Sequence, residues 1–261
     1  MQLKVASSAP AARPDQLTAL IDLRPAENLF KESTAREHPA WTDLERHRAQ
    51  GELKSEYLAI GESPLLYLPA AAARYWTGHE QVRILAARAW EAAVARGAAQ
   101  LVVLLDGPGG SQAAPMAAEG ILLQAYRFTR YKAQAEAARR PDVTLVAPGA
   151  GINETRARVD RSVKLVEACN RARDLVNEPG SVATPAEIEA RARKVAKSAG
   201  LKLVVLQKSQ LEKEGYNGLL TVGRGSEVPP RMIVLRYVPP REVGERRPNI
   251  HLGLLGKGIT F

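Results

Sequence analysis

The sequence predicts an α/β protein of two domains joined by a long helix. Three observations carry this expectation. Short apolar runs of strand length, LVVLL at 101–105, DVTLVA at 142–147, LKLVVL at 201–206 and RMIVLRYV at 231–238, are separated by Ala- and Arg-rich stretches of helical period. Several of these runs are continuous rather than alternating, as strands covered on both faces of a sheet are. The chain has 261 residues, more than one domain of about 150 residues needs.

The amino-terminal part opens with an alternating strand at 2–6, followed by strands at 55–61 and 64–68 broken by Glu62-Ser63-Pro64. A helix is expected over 80–97, with Val82, Leu85, Ala86, Ala89 and Val94 on one face and Gly97 as its stop. A buried strand at 101–106 runs into Gly107-Pro108-Gly109-Gly110, a helix follows at about 113–127, and a further strand lies at 142–147. After Pro148-Gly149-Ala150-Gly151 a long amphipathic helix is expected from about 153 to 176. Its apolar stripe is Val159, Val163, Val166, Cys169, Ala172 and Val176. The domain boundaries that follow are 1–150, a connector at 151–177, and 178–261.

In the second part, Thr184-Pro185-Ala186-Glu187 has the form of a capping box with proline at the first helical position, and its helix runs to Gly200. A strand at 201–206, a short helix opened by Ser209-Gln210-Leu211-Glu212 and closed by Gly215, and a strand at 231–238 come next. PPREVGERRPN at 239–249 is a polar loop. IHLGLL at 250–255 reads as a last strand delivering Gly256-Lys257-Gly258 at its carboxyl end, where open α/β sheets bind ligands.

Composition excludes several classes. Apolar residues make up 45% and charged residues 25%, which rules out a disordered or collagenous chain. A single cysteine, Cys169, excludes an internal disulfide framework and a cysteine-based zinc cluster, and fits a reducing compartment. On the helix stripe it is expected to be a small buried hydrophobe. The opening MQLKVASSAPAARPDQL lacks the apolar core of a signal peptide, and no apolar run approaches the ~20 residues that cross a bilayer. A cytoplasmic location is expected. The formal charge of +9 permits contact with nucleic acid without indicating it.

Few motifs carry chemistry by spacing alone. Gly256-Lys257 is not a phosphate loop, because His251 and Gly258 stand where a glycine and a Ser or Thr are required. Gly107-Pro108-Gly109-Gly110 is not a dinucleotide fingerprint, since Gln112 stands at the third glycine. His38, His47, His79 and His251 form no metal-binding pair, and His251 is expected to be packed in its strand or to support the neighbouring loop rather than to be a ligand. Ser111 is not set in a nucleophile elbow. Trp41, Trp76 and Trp90 are expected in the core or at an interface rather than as stacking platforms. On spacing alone, Lys257 is most simply a solvated lysine in a turn.

Four ordered segments change that reading. IHLGLLGKGITF at 250–261 resembles the strand and loop that enter the active site of the leucyl aminopeptidase (cytosol aminopeptidase) family. EGILLQAYRFTRYK at 119–132 is similar to the helix ending that family's amino-terminal domain. ARDLVNEPGSVATPAEI at 172–188 resembles the entry to its catalytic domain, and GLLTVGRGSEVPPRMIVLRY at 218–237 the sheet segment before its metal loop. The resemblance implies a macro-like α/β amino-terminal domain, a connector helix and the beginning of an α/β metallo-exopeptidase catalytic domain. It implies a hexameric aminopeptidase that releases leucine-like amino-terminal residues from peptides. Its cofactors would be two divalent ions, manganese or zinc and in some members magnesium.

The resemblance also implies that Lys257 is a metal ligand, acting through a neutral amine. It places the family's first metal-binding aspartate just past Phe261. The 261-residue chain alone, as a truncated or partial copy, is therefore expected to be catalytically silent and to bind no metal tightly. Its second part is expected to be poorly stable unless further chain or a partner covers it. A second function class is a non-catalytic module binding a ligand or DNA through the basic residues Arg127, Arg130, Lys132, Arg139 and Arg140. Such binding should weaken steeply with salt.

Overall fold

The computed structural model describes residues 1–23, 33, 35–50, 57–59, 62–69, 78–107, 109–132, 140–147, 151–239 and 251–258. The chain divides into two compact units, Met1–Arg173 and Asp174–Phe261.

The first unit is a six-stranded sheet. Its strands are β1 (Leu3–Ala6), β2 (Gln16–Asp22), β3 (Tyr57–Ala59), β4 (Leu65–Pro69), β5 (Gln100–Asp106) and β6 (Asp142–Val146), in the order β1-β6-β5-β2-β4-β3. All neighbours are parallel except β3, which pairs antiparallel with β4 at the edge. Its helices are α1 (Trp41–Ala49), α2 (His79–Ala95), α3 (Gly110–Gln124) and α4 (Ile152–Asn177), which continues past Arg173.

Alternation sorts the strand residues between two apolar layers. Leu17, Ala19 and Ile21 of β2, with Leu101, Val103 and Leu105 of β5, pack with Leu85, Ala89 and Trp90 of α2, Ala114 and Ile121 of α3, and Val159 of α4. On the other layer Leu20, Val102 and Leu104 meet Trp41 and Leu44 of α1 and Tyr67 of β4. This two-sided burial explains why β5 is apolar at nearly every position. Trp41 and Trp90 are buried as expected; Trp76 lies outside the described residues.

Strand β2 is central in the sheet, yet the sequence reading passed over it. Its apolar residues are interleaved with Gln16, Thr18 and Asp22, and all seven of its residues are buried. Gln16 Nε2 donates to Thr18 Oγ1 at 2.9 Å, so one polar pair is satisfied inside the sheet. Helix α1 has no clear sequence signal either, since among its described side chains WTDLERHRA buries Trp41 and Leu44 alone, a weak helical stripe.

The glycines after β5 have a structural role. Gly107 and Gly109 take φ of 104° and 80°, turning the strand into α3. A Cβ on Gly110 would stand 2.5 Å from the Leu105 carbonyl oxygen.

The stripe on α4 holds for about half its length. Thr155, Val159, Ser162 and Val166 are buried, but Cys169 and Ala172 are exposed and Val176 is 83% exposed. The expectation of a buried Cys169 is corrected. A 26-residue helix is about 39 Å long and outruns the layer it packs on.

The second unit contains α5 (Pro185–Ala199), β7 (Lys202–Leu206), α6 (Lys208–Lys213), α7 (Asn217–Val222) and β8 (Met232–Arg236). Strands β7 and β8 form an antiparallel pair, with Leu203 opposite Leu235 and Val205 opposite Ile233. Thr184 caps α5, its Oγ1 accepting from the Glu187 amide at 3.3 Å. Glu187 does not complete a capping box; its carboxylate takes Arg191 Nε at 2.8 Å.

Two strand expectations are corrected here. Residues 217–225 form α7 and a 3-10 turn before β8, where the resemblance implied sheet. Residues 251–258 form no strand and are exposed throughout. Apolar alternation makes a strand only where a neighbouring ladder satisfies its backbone, and among the described residues β7 and β8 pair only with each other. The loop expected at 239–249 is described only at Pro239; Ile250, Ile259–Phe261 and Pro148–Ala150 also lie outside the described residues.

Candidate functional site

Lys257 lies in the exposed segment His251–Gly258 of the second unit. The adjoining Gly258 approaches the start of α5: a Cβ there would be 3.7 Å from Ile188 Cδ1. The Thr184 cap and Pro185 start α5 at a defined point, which fixes Ile188 one turn in.

The carboxylates on and before α5 are held by arginines. Glu178, with its side chain 1% exposed, accepts Arg191 Nη2 at 2.8 Å, and Glu187 accepts Arg191 Nε at 2.8 Å. The Glu189 carboxylate accepts Arg193 Nε at 2.8 Å and Gln207 Nε2 at 3.2 Å, and also binds Arg231 Nη1. These bonds tie α5 to β7 and β8 through their flanking residues.

The hydrogen bonds from Arg193, and then from Gln207 and Arg231, hold the Glu189 carboxyl below the usual carboxylate range against the opposing cost of burial. A depressed folded-state pKa places its stabilisation above the ordinary carboxylate range. It is expected to disappear as pH falls through the lower folded value. An acid titration of the second unit followed by carboxyl NMR should show Glu189 titrating below free glutamate, and Glu189→Gln should remove that step. A Glu189 resonance titrating at the ordinary value would contradict it.

Metal binding is the sharpest test of the site. Among the described residues no group of three or more His, Cys, Asp or Glu side chains is placed to hold an ion. His251, expected to be packed or to support the loop, is exposed. The carboxylates on and before α5 are already engaged by guanidinium groups. One amine, Lys257, does not make a donor set for two divalent ions, which take several oxygen or nitrogen ligands each. The described residues therefore do not fit a two-metal centre, and no chemical step is assigned through one.

In the first unit the structure assembles a cluster that the sequence did not signal. The Tyr57 hydroxyl lies 2.9 Å from Asp43 Oδ2 and 3.0 Å from His47 Nε2, and His47 Nδ1 lies 2.9 Å from the Asp43 carbonyl oxygen. Asp43 and His47 are one turn apart on α1, but Tyr57 comes from the edge strand, so no local pattern announces the group. Within the proposed basic patch, Arg127 Nη1 donates to the carbonyl oxygens of Gln124 and Tyr126 and caps the end of α3. Lys132 and Arg140 are exposed, and Arg139 lies outside the described residues. No described helix is long and apolar enough to cross a membrane.

Comparison with known proteins gives matches in both parts of the chain. The model of the cytosol aminopeptidase family's N-terminal domain matches residues 71–135, and the model of its catalytic domain matches residues 170–261. A probable cytosol aminopeptidase of Solibacter usitatus is 37% identical over 216 residues, covering 82% of this chain and 42% of that protein. One from Rhodococcus erythropolis is 42% identical over 151 residues, 56% of this chain and 29% of that protein. The chain thus spans less than half the length of these relatives. Among solved structures, a tomato leucine aminopeptidase mutant superposes with a TM-score of 0.72 at 17% identity, covering 93% of this chain and 52% of that one. The bottromycin maturation enzyme BotP in complex with Mn superposes with a TM-score of 0.61 at 25% identity, covering 87% of this chain and 46% of that one.

Proposed function

The chain belongs to the cytosol aminopeptidase family, and from that premise we propose that it forms part of a metal-dependent aminopeptidase releasing leucine-like amino-terminal residues from peptides. The observation that supports this reading is the order of the two matches: an N-terminal-domain match, then a catalytic-domain match that contains Gly256-Lys257-Gly258. In this reading the chain has a macro-like amino-terminal domain at 1–150, a connector at 151–177 and part of the catalytic domain at 178–261. The assembled enzyme is a hexamer using two manganese, zinc or magnesium ions. Lys257 is the ligand this chain contributes, and residues 1–261 alone are inert for want of the other donors.

The test compares two species. The purified 261-residue chain is assayed for leucine release from a leucyl anilide with manganese, zinc or magnesium. The native polypeptide carrying these residues is immunopurified from its source cells and assayed alongside, with its mass measured. The expected result is metal-dependent release by the native polypeptide, reduced at least ~100-fold by Lys257→Met, and none by the 261-residue chain. Robust release by the 261-residue chain overturns its inertness. A native polypeptide silent with every metal overturns the aminopeptidase reading. The nucleic-acid alternative has less support, because Arg127 is engaged by backbone carbonyls. A salt titration of binding to a short DNA duplex decides it, since undetectable or salt-insensitive binding removes it.

A further inference from the structure

Helix α1 and the edge strand β3 bring three unlike donors together. Asp43 stands one turn before His47, a spacing that puts both side chains on one face of a helix. Tyr57 opens β3 and reaches them from the side. Its hydroxyl lies 2.9 Å from Asp43 Oδ2 and 3.0 Å from His47 Nε2. The His47 and Tyr57 rings are also in contact, with centroids 4.3 Å apart. The frame beneath them is packed. Trp41 and Leu44 anchor α1 in the same apolar layer as Ala59 of β3 and Tyr67 of β4, and Tyr57 is paired with Tyr67 in the antiparallel register.

A count of protons shows what the cluster lacks. His47 Nδ1 lies 2.9 Å from the Asp43 carbonyl oxygen, so it donates there and leaves Nε2 with its lone pair. Tyr57 has one hydroxyl proton for two acceptors, His47 Nε2 and the Asp43 carboxylate. Whichever takes it, the other sets a lone pair against the tyrosine oxygen. A positive charge among these three atoms removes the conflict. The geometry suits a metal ion. A histidine that gives one ring N–H to a main-chain carbonyl and offers the other nitrogen is oriented as metal-ligating histidines are. Donors 2.9 and 3.0 Å apart have the spacing of right-angled neighbours around an ion with bonds of about 2.1 Å. Arg46 Nη1 lies 3.4 Å from Asp43 Oδ1, and Oδ2 faces Tyr57. The His47 and Asp43 side chains are 26% and 35% exposed, which admits a hydrated ion and leaves room for water ligands.

We propose that Asp43, His47 and Tyr57 bind a single divalent transition-metal ion of the copper(II) and zinc class, with water completing its shell. An imidazole nitrogen with a carboxylate and a phenol oxygen is a mixed donor set, which suits these ions better than magnesium or calcium. On loading, the ion replaces the Tyr57 hydroxyl proton, which passes to solvent. His47 Nε2, Asp43 Oδ2 and Tyr57 Oη become its protein ligands. The ion fastens β3, at the edge of the sheet, to α1. The site lies wholly within the first unit, whereas Lys257 lies in the second, so it stands or falls independently of the reading under Proposed function. The sequence holds no histidine pair, and the third donor is a phenol brought in by a different element.

The test strips the 261-residue chain with a chelator and loads it with copper(II) or zinc. The expected result is one ion per chain at this site, with a visible phenolate-to-copper charge-transfer band. Zinc should shift the His47 ring nitrogens and the Tyr57 ring in NMR spectra. His47→Gln and Asp43→Asn should each weaken zinc binding at least ~10-fold, the loss that removing even a supporting group causes. Tyr57→Phe should abolish the copper band. His79→Gln, His251→Gln and Lys257→Met should leave these readouts unchanged. Zinc should raise the Tm of the unmodified chain and not that of His47→Gln. Melts without metal show which variants fold, and where one does not, the zinc-induced shifts in the unmodified chain decide. Zinc binding that survives His47→Gln, or that is lost with His79→Gln or His251→Gln, overturns the site. His47 and Tyr57 signals that do not move with excess zinc overturn it as well. A His47 Nε2 that carries a proton with zinc present also overturns it, since the cluster then holds a proton in place of a metal.

Discussion

Gly120→Ala is expected to destabilise the first unit by about 3 kcal/mol, a fall in Tm of roughly 6–12 °C for a unit of this size. Gly120 is buried on α3 where α3 crosses α2. A Cβ there would stand 2.8 and 2.9 Å from the carbonyl carbon and Cα of Arg83, and closer still to its carbonyl oxygen. Those atoms are backbone in the second turn of α2, so neither helix can yield without moving as a body. The neighbouring bonds resist that movement. Glu119 accepts Arg83 Nε at 2.7 Å and Ser162 Oγ at 2.7 Å, linking α3 to both α2 and α4. Helix propensity alone predicts the opposite sign, a gain of about 1 kcal/mol for Gly→Ala in a helix interior. Gly97→Ala supplies the contrast. Gly97 has φ +65° and nothing within 4 Å, so its cost is the left-handed backbone alone, about 1–2 kcal/mol. Calorimetric melts of the two variants check this, and an unchanged or raised Tm for Gly120→Ala would refute it.

The sequence makes β5, α2 and α5 legible for identifiable reasons. LVVLL has no polar residue to place on a solvent face, α2 keeps a helical stripe, and α5 has Thr184 and Pro185 at its start. It hides β2 because Gln16, Thr18 and Asp22 interrupt the apolar pattern, and their burial depends on β4 and β5 lying on either side. The same reasoning inverts at 251–258. There the local pattern reads as a strand, but the described structure offers no ladder beside it. At the candidate site Lys257 is legible only through the company of the other family-like segments, since a lysine between glycines is common. In the arginine network of α5 the pairs Glu187–Arg191 and Glu189–Arg193 have the legible spacing of four residues on one helix, whereas the links from Glu178 and to Arg231 do not. Those partners are separated by 13 residues for Glu178–Arg191 and 42 for Glu189–Arg231, and no local periodicity links them.

That network supports the other large prediction: Glu178→Ala is expected to unfold much of the second unit while sparing the first. Glu178 is buried in the turn before α5, where the Val182 and Ala183 amides both bond to the Pro179 carbonyl oxygen. Removing the carboxylate breaks a buried ion pair, at a cost of about 3–5 kcal/mol. Arg191 is 23% exposed and retains Glu187, which places the cost at the lower end. Glu187 is the larger influence raising the Arg191 pKa, with Glu178 second. Stability should nonetheless follow Glu178. Water can replace the partly exposed Glu187, whereas it has little access to the buried position. Glu187→Ala is therefore expected to cost under about 1 kcal/mol, as surface pairs do. A loss of about 3 kcal/mol is a large share of any domain's stability, and among the described residues of the second unit the buried apolar side chains behind it are two alanines and a leucine. Amide exchange across 185–206 should quicken about 100-fold in Glu178→Ala, with 101–105 unchanged because that strand is enclosed by a separate apolar core. Equal and small effects from Glu178→Ala and Glu187→Ala would mean that the turn, rather than the ion pair, holds the start of α5.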